Sequence, residues 1–175
     1  ELQKDQEGMP VRIAAQEHAV ESLKHASWIE FVLRIGQTLA EALEFAHQRG
    51  LLHLDVKPSN ILITPDGQPV LLDLDVARQP IPAGTTAVTW FGGTPAYMSP
   101  EQRRAMEALS FRKPVPDDLD ERSDVYLLGM VLYEALGGRL EDGHHPDAAH
   151  LPELNPHVTR EIADIIARCI AEKPE

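Results

Sequence analysis

The segment from Val125 to Leu136 is apolar on nearly every side of a helix, and this feature limits the possible folds more than any other. Within this segment, the residues that recur every three or four positions are apolar, and most of the residues between them are apolar as well. A helix without a polar face is normally buried inside a protein. The segment is interrupted by Glu134 and is shorter than the roughly 20 residues that a membrane span requires. The sequence therefore predicts a buried central helix, capped by Ser123 and ended by Gly137-Gly138.

Two further helices are predicted from apolar residues that recur every three or four positions. Ser27 and Glu30 form an S-x-x-E capping box at the start of the first, which we expect to run from about residue 28 to 48. Gly50 provides its C-terminal stop. The second lies near the end of the chain. The apolar positions are Trp28, Val32, Ile35, Leu39, Ala42 and Ala46 in the first helix, and Ile162, Ile165, Ile166, Cys169 and Ile170 in the second.

A β-hairpin and a long loop are predicted between these helices. Apolar runs at 61–64 and 70–72 are separated by Pro65-Asp66-Gly67, whose residues suit a tight turn. Residues 75–100 contain too many Gly, Pro, Ser and Thr for a regular element, so we expect a long functional or mobile loop. Residues 1–26 are polar without a clear period, and we expect a polar arm or linker there.

Composition places the chain among globular proteins and disfavours several functions. A length of 175 residues with 43% apolar content suits one domain with a substantial core. A net charge of −12 repels phosphate groups, so we expect no contact with nucleic acid or with a membrane. The lone Cys169 favours a reducing compartment, the cytoplasm. The chain begins Glu1-Leu2 without a signal peptide, and we expect an excised piece of a longer protein.

The chemically informative stretch runs from His53 to Asn60 and continues to Asp73. Phosphoryl transfer requires a carboxylate that orients the attacking hydroxyl, a cation beside the moving phosphoryl group and hard oxygen ligands for magnesium. A hairpin between Asn60 and Asp73 would return the chain to its starting point and bring two potential metal ligands together. Each residue alone has an ordinary structural explanation, but the combined pattern is specific. The candidate groups are Asp55, Lys57, Asn60 and Asp73.

Three patterns together resemble the eukaryotic-like serine/threonine protein kinases, including their bacterial members. They are H-x-D-x-K-P-x-N, a hairpin followed by Asp, and a loop that ends G-T-P-x-Y-M-S-P-E. The resemblance covers residues 27–175 and implies an α+β protein-kinase-like fold, of which this chain is the mainly α-helical C-terminal lobe with a small β-hairpin. It also implies ATP and Mg²⁺ as cofactors and transfer of the γ-phosphate of ATP to Ser or Thr of a protein substrate.

By this resemblance, four residues carry the chemistry. Asp55 is similar to the catalytic base of the family, and Lys57 to the lysine that contacts the transferred phosphate. Asn60 and Asp73 resemble the two magnesium ligands of the cofactor site.

Four other residues resemble family positions with supporting roles. Thr94 lies in the activation segment and, with Lys57, gives the serine/threonine pattern rather than the tyrosine pattern. His53 resembles a packed structural imidazole. Glu101 is similar to the glutamate that anchors the end of the activation segment, and Asp124 to the aspartate that holds the catalytic loop by its backbone.

Three positions depart from the family pattern. Leu54 replaces the usual Arg, so the guanidinium that would grip an activation-loop phosphate is missing and switching through that contact is excluded. Leu74 replaces Phe, which is a tolerable apolar exchange. Asp75 replaces Gly and adds a negative charge beside the metal ligands, which would retune magnesium affinity or impair turnover. These departures leave open the alternative of a pseudokinase or scaffold module.

The ATP-covering part of the family is not found in the sequence. The chain contains no G-x-G-x-x-G and no V-A-I-K-like strand, so we expect the N-terminal lobe to be absent from it and to act as a partner in cis in the parent. The chain also stops just before the arginine that usually pairs with Glu101, and both ends therefore look truncated. We expect the isolated chain not to catalyse phosphoryl transfer.

Two weaker candidates lie in the connecting segments. A His-rich stretch after the central helix suggests a metal site, but no cysteine or second cluster accompanies it. Hydroxyls in the long loop lie where kinases accept regulatory phosphates, although such hydroxyls are usually only solvated. The residues are His144, His145, Asp147 and His150 for the metal, and Thr85, Thr86 and Thr89 for the phosphates.

Overall fold

A computed structural model describes residues 27–73, 78–88, 92–140 and 145–173. The arm predicted at 1–26 and the departures at Leu74 and Asp75 lie outside the described residues. Within them, helices dominate and a two-stranded antiparallel sheet is present. The elements in chain order are α1 (Trp28–His47), β1 (Ile61–Ile63), β2 (Pro69–Leu71), α2 (Pro100–Ser110), α3 (Glu121–Ala135), α4 (Leu151–Leu154) and α5 (Arg160–Cys169), with short 3-10 turns at Pro58–Asn60 and Ala148–His150.

The predicted start and end of α1 are confirmed. The Ser27 hydroxyl accepts a hydrogen bond from the Glu30 amide, and the Glu30 carboxylate accepts one from the Ser27 amide. After the helix, Gly50 takes a left-handed conformation with φ of 68°. The predicted apolar face is partly wrong, because Trp28 is 58% exposed. The buried face is Ile29, Val32, Gly36, Leu39, Leu43 and Ala46.

Most of the central helix α3 is buried as predicted, although Val125 is exposed, and its N-cap is Asp120 and not Ser123. The Asp120 carboxylate accepts a hydrogen bond from the Arg122 amide and so caps the N-terminus of the helix. Ser123 is the third residue of the helix and is fully buried. The helix ends before Gly137, whose φ of 110° suits glycine. α3 contacts α1 on one side and α5 on the other, so the three helices build the main core.

The hairpin between β1 and β2 is confirmed. Leu62 pairs with Val70, and Ile63 pairs with Pro69. The turn contains Gly67 with φ of 77°. The hairpin returns the chain as expected, since the Leu72 amide donates to the Asn60 carbonyl at 2.8 Å.

Helix α2 was not predicted, although the sequence contains its start signal. Ser99 and Gln102 form a capping box like that of α1, and Pro100 occupies the first helical position. In the described part of the long loop, residues 78–88 and 92–99 contain no helix or strand, as expected, apart from isolated bridges.

Buried apolar residues form two clusters among the described residues. The first, which we call the main cluster, joins α1, α3, α4 and α5. The second, which we call the loop cluster, contains Leu52, Leu54, Ile81, Ala105, Val115 and Leu119. No helix within the described ranges combines the length and apolar character that crossing a bilayer requires.

Candidate active site

Asp124 holds residues 53–60, the loop that carries the predicted catalytic residues and that we therefore call the catalytic loop. Its side chain is fully buried at the start of α3. The His53 amide donates to Asp124 Oδ2 at 2.8 Å, and the Leu54 amide donates to Asp124 Oδ1 at 2.7 Å. His47 Nε2 lies 2.8 Å from Asp124 Oδ2. This hydrogen bond is the main reason why the pKa of His47 is raised. The carboxylate thus fixes two successive amides just before Asp55.

Asp55, Lys57 and Thr94 form a closed triangle of hydrogen bonds. Lys57 Nζ lies 2.9 Å from Asp55 Oδ2 and donates to Thr94 Oγ1 at 2.7 Å. The Thr94 hydroxyl donates to Asp55 Oδ1 at 3.0 Å. All three bonds are mutually consistent, because Lys57 only donates, Asp55 only accepts and the Thr94 hydroxyl does both. The structure therefore brings together three residues from two separate segments.

The Asn60 amide points its nitrogen at Asp55. Asn60 Nδ2 donates to the Asp55 carbonyl at 2.9 Å and to Asp55 Oδ2 at 3.2 Å. The side chain is buried, so its orientation is set by these two bonds. The amide oxygen is consequently the Asn60 atom that remains as a ligand for a metal ion.

His53 links the catalytic loop to the residue before Asp73. The Asp55 amide donates to His53 Nδ1 at 3.2 Å, and His53 Nε2 lies 2.8 Å from the Leu72 carbonyl. Since Nδ1 accepts, Nε2 must carry the hydrogen, and one neutral tautomer satisfies both bonds. Asp73 follows directly, with a left-handed φ of 62° that is uncommon for a non-glycine residue.

The end of the long loop is fastened to α3 by buried polar contacts. The Ser123 hydroxyl donates to Glu101 Oε1 at 2.6 Å. Gln102 Nε2 donates to the Leu54 carbonyl at 2.8 Å, so α2 also contacts the catalytic loop. The sequence singled out Glu101, predicted Ser123 only as a helix cap, and gave no role to Gln102 or His47. The capping box would have located Gln102, whereas no local sequence signal identifies the other two.

The His-rich stretch gives no metal site among the described residues. No group of three or more His, Cys, Asp or Glu side chains within them could hold a metal ion. His150 and Asp147 instead form an exposed pair, with Nδ1 and Oδ2 separated by 2.8 Å. His144 and Thr89 lie outside the described residues.

Comparisons with known proteins identify the family of the chain. A family profile described as the protein kinase domain matches residues 17–175. A probable serine/threonine-protein kinase of Clostridium acetobutylicum is 33% identical over 166 residues, which is 87% of this chain and 24% of that protein.

Two mycobacterial relatives are similar over shorter lengths. Serine/threonine-protein kinase PknB of Mycobacterium leprae is 44% identical over 101 residues, which is 56% of this chain and 14% of that protein. Serine/threonine-protein kinase PknA of Mycobacterium tuberculosis is 39% identical over 118 residues, 67% of this chain and 23% of that protein. The chain thus spans at most about a quarter of the length of these relatives. The catalytic-loop geometry and the family match lead to one conclusion: this chain belongs to the protein kinase domain family, with bacterial serine/threonine-protein kinases among its relatives.

Proposed function

We propose that this chain supplies the catalytic and magnesium-binding side chains with which the full-length protein phosphorylates Ser or Thr of protein substrates. The described residues would form the helical C-terminal lobe of the kinase fold. The hydrogen-bonded triangle of Asp55, Lys57 and Thr94 carries this proposal. The names of the curated relatives support the same reaction class. The single thiol of Cys169 favours the cytoplasm as its compartment.

In the proposed reaction, Asp55 orients the substrate hydroxyl and accepts its proton. The hydroxyl oxygen forms a bond to the γ-phosphorus of ATP, the bond from that phosphorus to the bridging oxygen breaks, and ADP leaves. Lys57 Nζ lies 2.9 Å from the Asp55 carboxylate, so its positive charge stands beside the group that is transferred. The Thr94 hydroxyl fixes the position of both side chains.

Asn60 and Asp73 would hold magnesium, which neutralises phosphate charge when bound. The donor set fits, since magnesium prefers hard oxygen ligands and is usually bound by one or two protein carboxylates together with substrate phosphates. The Asn60 amide oxygen remains available because its nitrogen is bonded to Asp55. The position of Asp73 is fixed by its neighbour Leu72. The Leu72 amide donates to the Asn60 carbonyl, and the Leu72 carbonyl accepts from His53.

The exposed face of the hairpin supports a nucleotide as the phosphate donor. Leu62 is 52% exposed and is paired across the sheet with Val70, which is also exposed. The two side chains form an apolar surface on the strands that connect Asn60 to Asp73. A flat aromatic base can pack on such a surface while its phosphates extend toward the magnesium ligands.

The experiment that tests the proposal replaces Asp55, the proposed general base. Asp55→Asn in the full-length protein should reduce the rate of Ser/Thr phosphorylation by about a thousandfold. This factor lies within the range by which a general base accelerates a reaction. Asp164→Asn is the matched control, because it makes the same chemical change at an exposed position of α5 and should leave the rate unchanged. Transfer from radiolabelled ATP to a generic basic protein measures both.

The pseudokinase alternative would be supported by one result. If the wild-type full-length protein binds ATP with magnesium but transfers no phosphate to itself or to other proteins, the catalytic proposal is wrong. Nothing in the comparisons favours that alternative, since these relatives are named serine/threonine-protein kinases.

A further inference from the structure

The side chain of Gln102 is fully buried and forms hydrogen bonds with two separate segments. Its Oε1 atom accepts from the Ser99 amide at 3.1 Å, and its Nε2 atom donates to the Leu54 carbonyl at 2.8 Å. Ser99 follows Thr94 by five residues, and Leu54 directly precedes Asp55. One amide group therefore joins the segment that carries Thr94 to the catalytic loop.

Helix capping alone does not explain why a glutamine stands at the start of α2. A capping box needs only an acceptor on the third helical residue, and Glu30 provides one at the start of α1. Gln102 provides the same acceptor to α2. A glutamine differs from an ionised glutamate in having an NH2 group that can donate. In this structure the donor is used on the Leu54 carbonyl, so the glutamine is matched to its second contact.

The Leu54 carbonyl belongs to the peptide group that leads into Asp55. The N–H of the same peptide group is the Asp55 amide, which donates to His53 Nδ1 at 3.2 Å. Because a peptide group is planar, Gln102 and His53 together fix the orientation of this plane. The plane follows the left-handed Leu54, whose φ is 59°. Its orientation sets the direction in which the Asp55 side chain leaves the backbone.

We propose that Gln102 is a positioning residue for phosphoryl transfer, which aligns Asp55 with Thr94 by holding their two segments at a fixed separation. The proposal rests on the function proposed above. The Thr94 hydroxyl donates to Asp55 Oδ1 at 3.0 Å, and this bond requires both segments in register. A hydrogen bond weakens steeply when it bends, so a small shift of either segment misdirects the carboxylate. Gln102 acts only through these two residues.

The first test compares variants of the full-length protein by steady-state kinetics. Gln102→Met keeps the length of the side chain and removes both hydrogen bonds. Misplacing a reacting group by about 1 Å can cost about a hundredfold in rate, so a smaller shift should lower kcat about tenfold. The KM for ATP should stay within about twofold, because an interaction used only in the transition state lowers kcat without raising KM. Glu30→Met is the matched control, since it removes the corresponding cap contact of α1 and should leave kcat within about twofold.

A double-mutant cycle distinguishes positioning from a general loss of stability. Thr94→Val removes the hydroxyl that fixes Asp55 and should by itself lower kcat at least tenfold. In that background Gln102→Met should lower kcat by less than about threefold, because the alignment that Gln102 maintains is already lost. Full multiplication of the two losses would overturn the proposal. Wild-type kcat in either single variant, or an equal loss of kcat in Glu30→Met, would overturn it as well.

Amide hydrogen exchange tests the structural part of the proposal without any catalysis. In Gln102→Met the Asp55 amide should exchange at least tenfold faster, while the amides of Leu128 and Val131 in α3 keep their wild-type rates. Unchanged exchange at Asp55, or equal acceleration at all three amides, would contradict the positioning role. A wild-type protein that transfers no phosphate would instead refute the proposed function, whereas the exchange result would still decide whether Gln102 holds the catalytic loop.

Discussion

Asp124 is a buried carboxylate whose charge is compensated by three donors. Burying an ionised group without partners costs several kcal/mol, so such groups are retained only where donors surround them. The amides of His53 and Leu54 and the ring of His47 provide these donors. They also stabilise the left-handed backbone of Leu54, a conformation that costs about 1 to 3 kcal/mol for a non-glycine residue. The shape of the catalytic loop therefore depends on one side chain of α3.

His47 should make the free energy of unfolding depend on pH. Its hydrogen bond to Asp124 raises its pKa above the ordinary value of 6.5, against the opposing effect of burial, and the charges of Asp124, Glu121 and Glu44 also raise it. A pKa that is higher in the folded state means that protonation favours folding. The contribution is fully present below pH 6.5 and is lost as the pH rises through the folded-state pKa.

Urea unfolding across this pH range tests the prediction. The unfolding free energy of the wild type minus that of His47→Gln should decrease from about pH 5.5 to about pH 8.5. Gln keeps a donor for Asp124 but does not titrate, so subtracting it cancels the other groups. A difference that is constant over the whole pH range would show that the contact with Asp124 does not raise the pKa of His47.

Single residues were predictable where their chemistry is unusual in sequence. The pattern around Asp55 led us to expect Lys57 and Asn60 beside it, and both side chains lie within hydrogen-bonding distance of its carboxylate. Their chemical roles stay predictions. The contacts of His47 and Ser123 were not predicted: a histidine on a helix has many ordinary explanations, and a serine near a helix start was expected to be a cap. Their significance appears only when the fold brings each of them to a buried carboxylate.

At the scale of elements, two glycines allow α3 to pack closely against its neighbours. A Cβ atom at Gly129 would lie 2.6 Å from Cys169 Cβ and 2.8 Å from Ile170 Cγ2, at the end of α5. A Cβ atom at Gly36 would lie 3.0 Å from Leu132 Cδ2, which is the end of a flexible side chain. The first contact leaves no room, whereas the second can relax.

Gly129→Ala should consequently destabilise the protein more than Gly36→Ala. Overpacking costs about 1 to 3 kcal/mol, against a gain of roughly 1 kcal/mol from replacing a helical glycine. We expect Gly129→Ala to lower the unfolding free energy by about 1 to 2 kcal/mol and Gly36→Ala to change it by less than about 1 kcal/mol. Urea midpoints of the two variants measure this difference, and equal midpoints would contradict the role assigned to the α3–α5 contact.

The elements themselves were predicted better than their orientation. The capping box at Ser27 and the turn at Gly67 are local signals, and they placed α1 and the hairpin correctly. The buried face of α1 differs from the predicted face at three positions, and at one of them Gly36, which is not hydrophobic, lies against Leu132. A small residue chosen for close packing carries no apolar signal, so periodicity alone cannot find it.

For the whole molecule, the catalytic loop lies at the junction of two apolar clusters. Leu52 and Leu54 pack in the loop cluster, while Val56, two residues farther on, packs in the main cluster. Both clusters therefore constrain the residues on either side of Asp55. This arrangement could not be read from the sequence, because alternating apolar residues in a short loop resemble a strand and give no indication of which core each will join.

The 175-residue chain by itself should bind nucleotide only weakly. The chain contains no G-x-G-x-x-G, so the loop that covers nucleotide phosphates in this family is not supplied by these residues. Asn60 and Asp73 offer an amide oxygen and a carboxylate, and such a pair binds magnesium weakly unless phosphates complete the coordination shell. The apolar surface of Leu62 and Val70 could contact only one face of a base, so most of the binding free energy would be missing.

Titration calorimetry of this chain with ATP and magnesium should therefore show no binding tighter than about 1 mM, or roughly 4 kcal/mol. Thermal unfolding should show a cooperative transition, because the main cluster lies within the described residues, and ATP should shift it little. The same titration of the full-length protein is the control and should give much tighter binding. Micromolar affinity in the 175-residue chain would contradict the prediction and would direct attention to residues 1–26 as a source of nucleotide contacts.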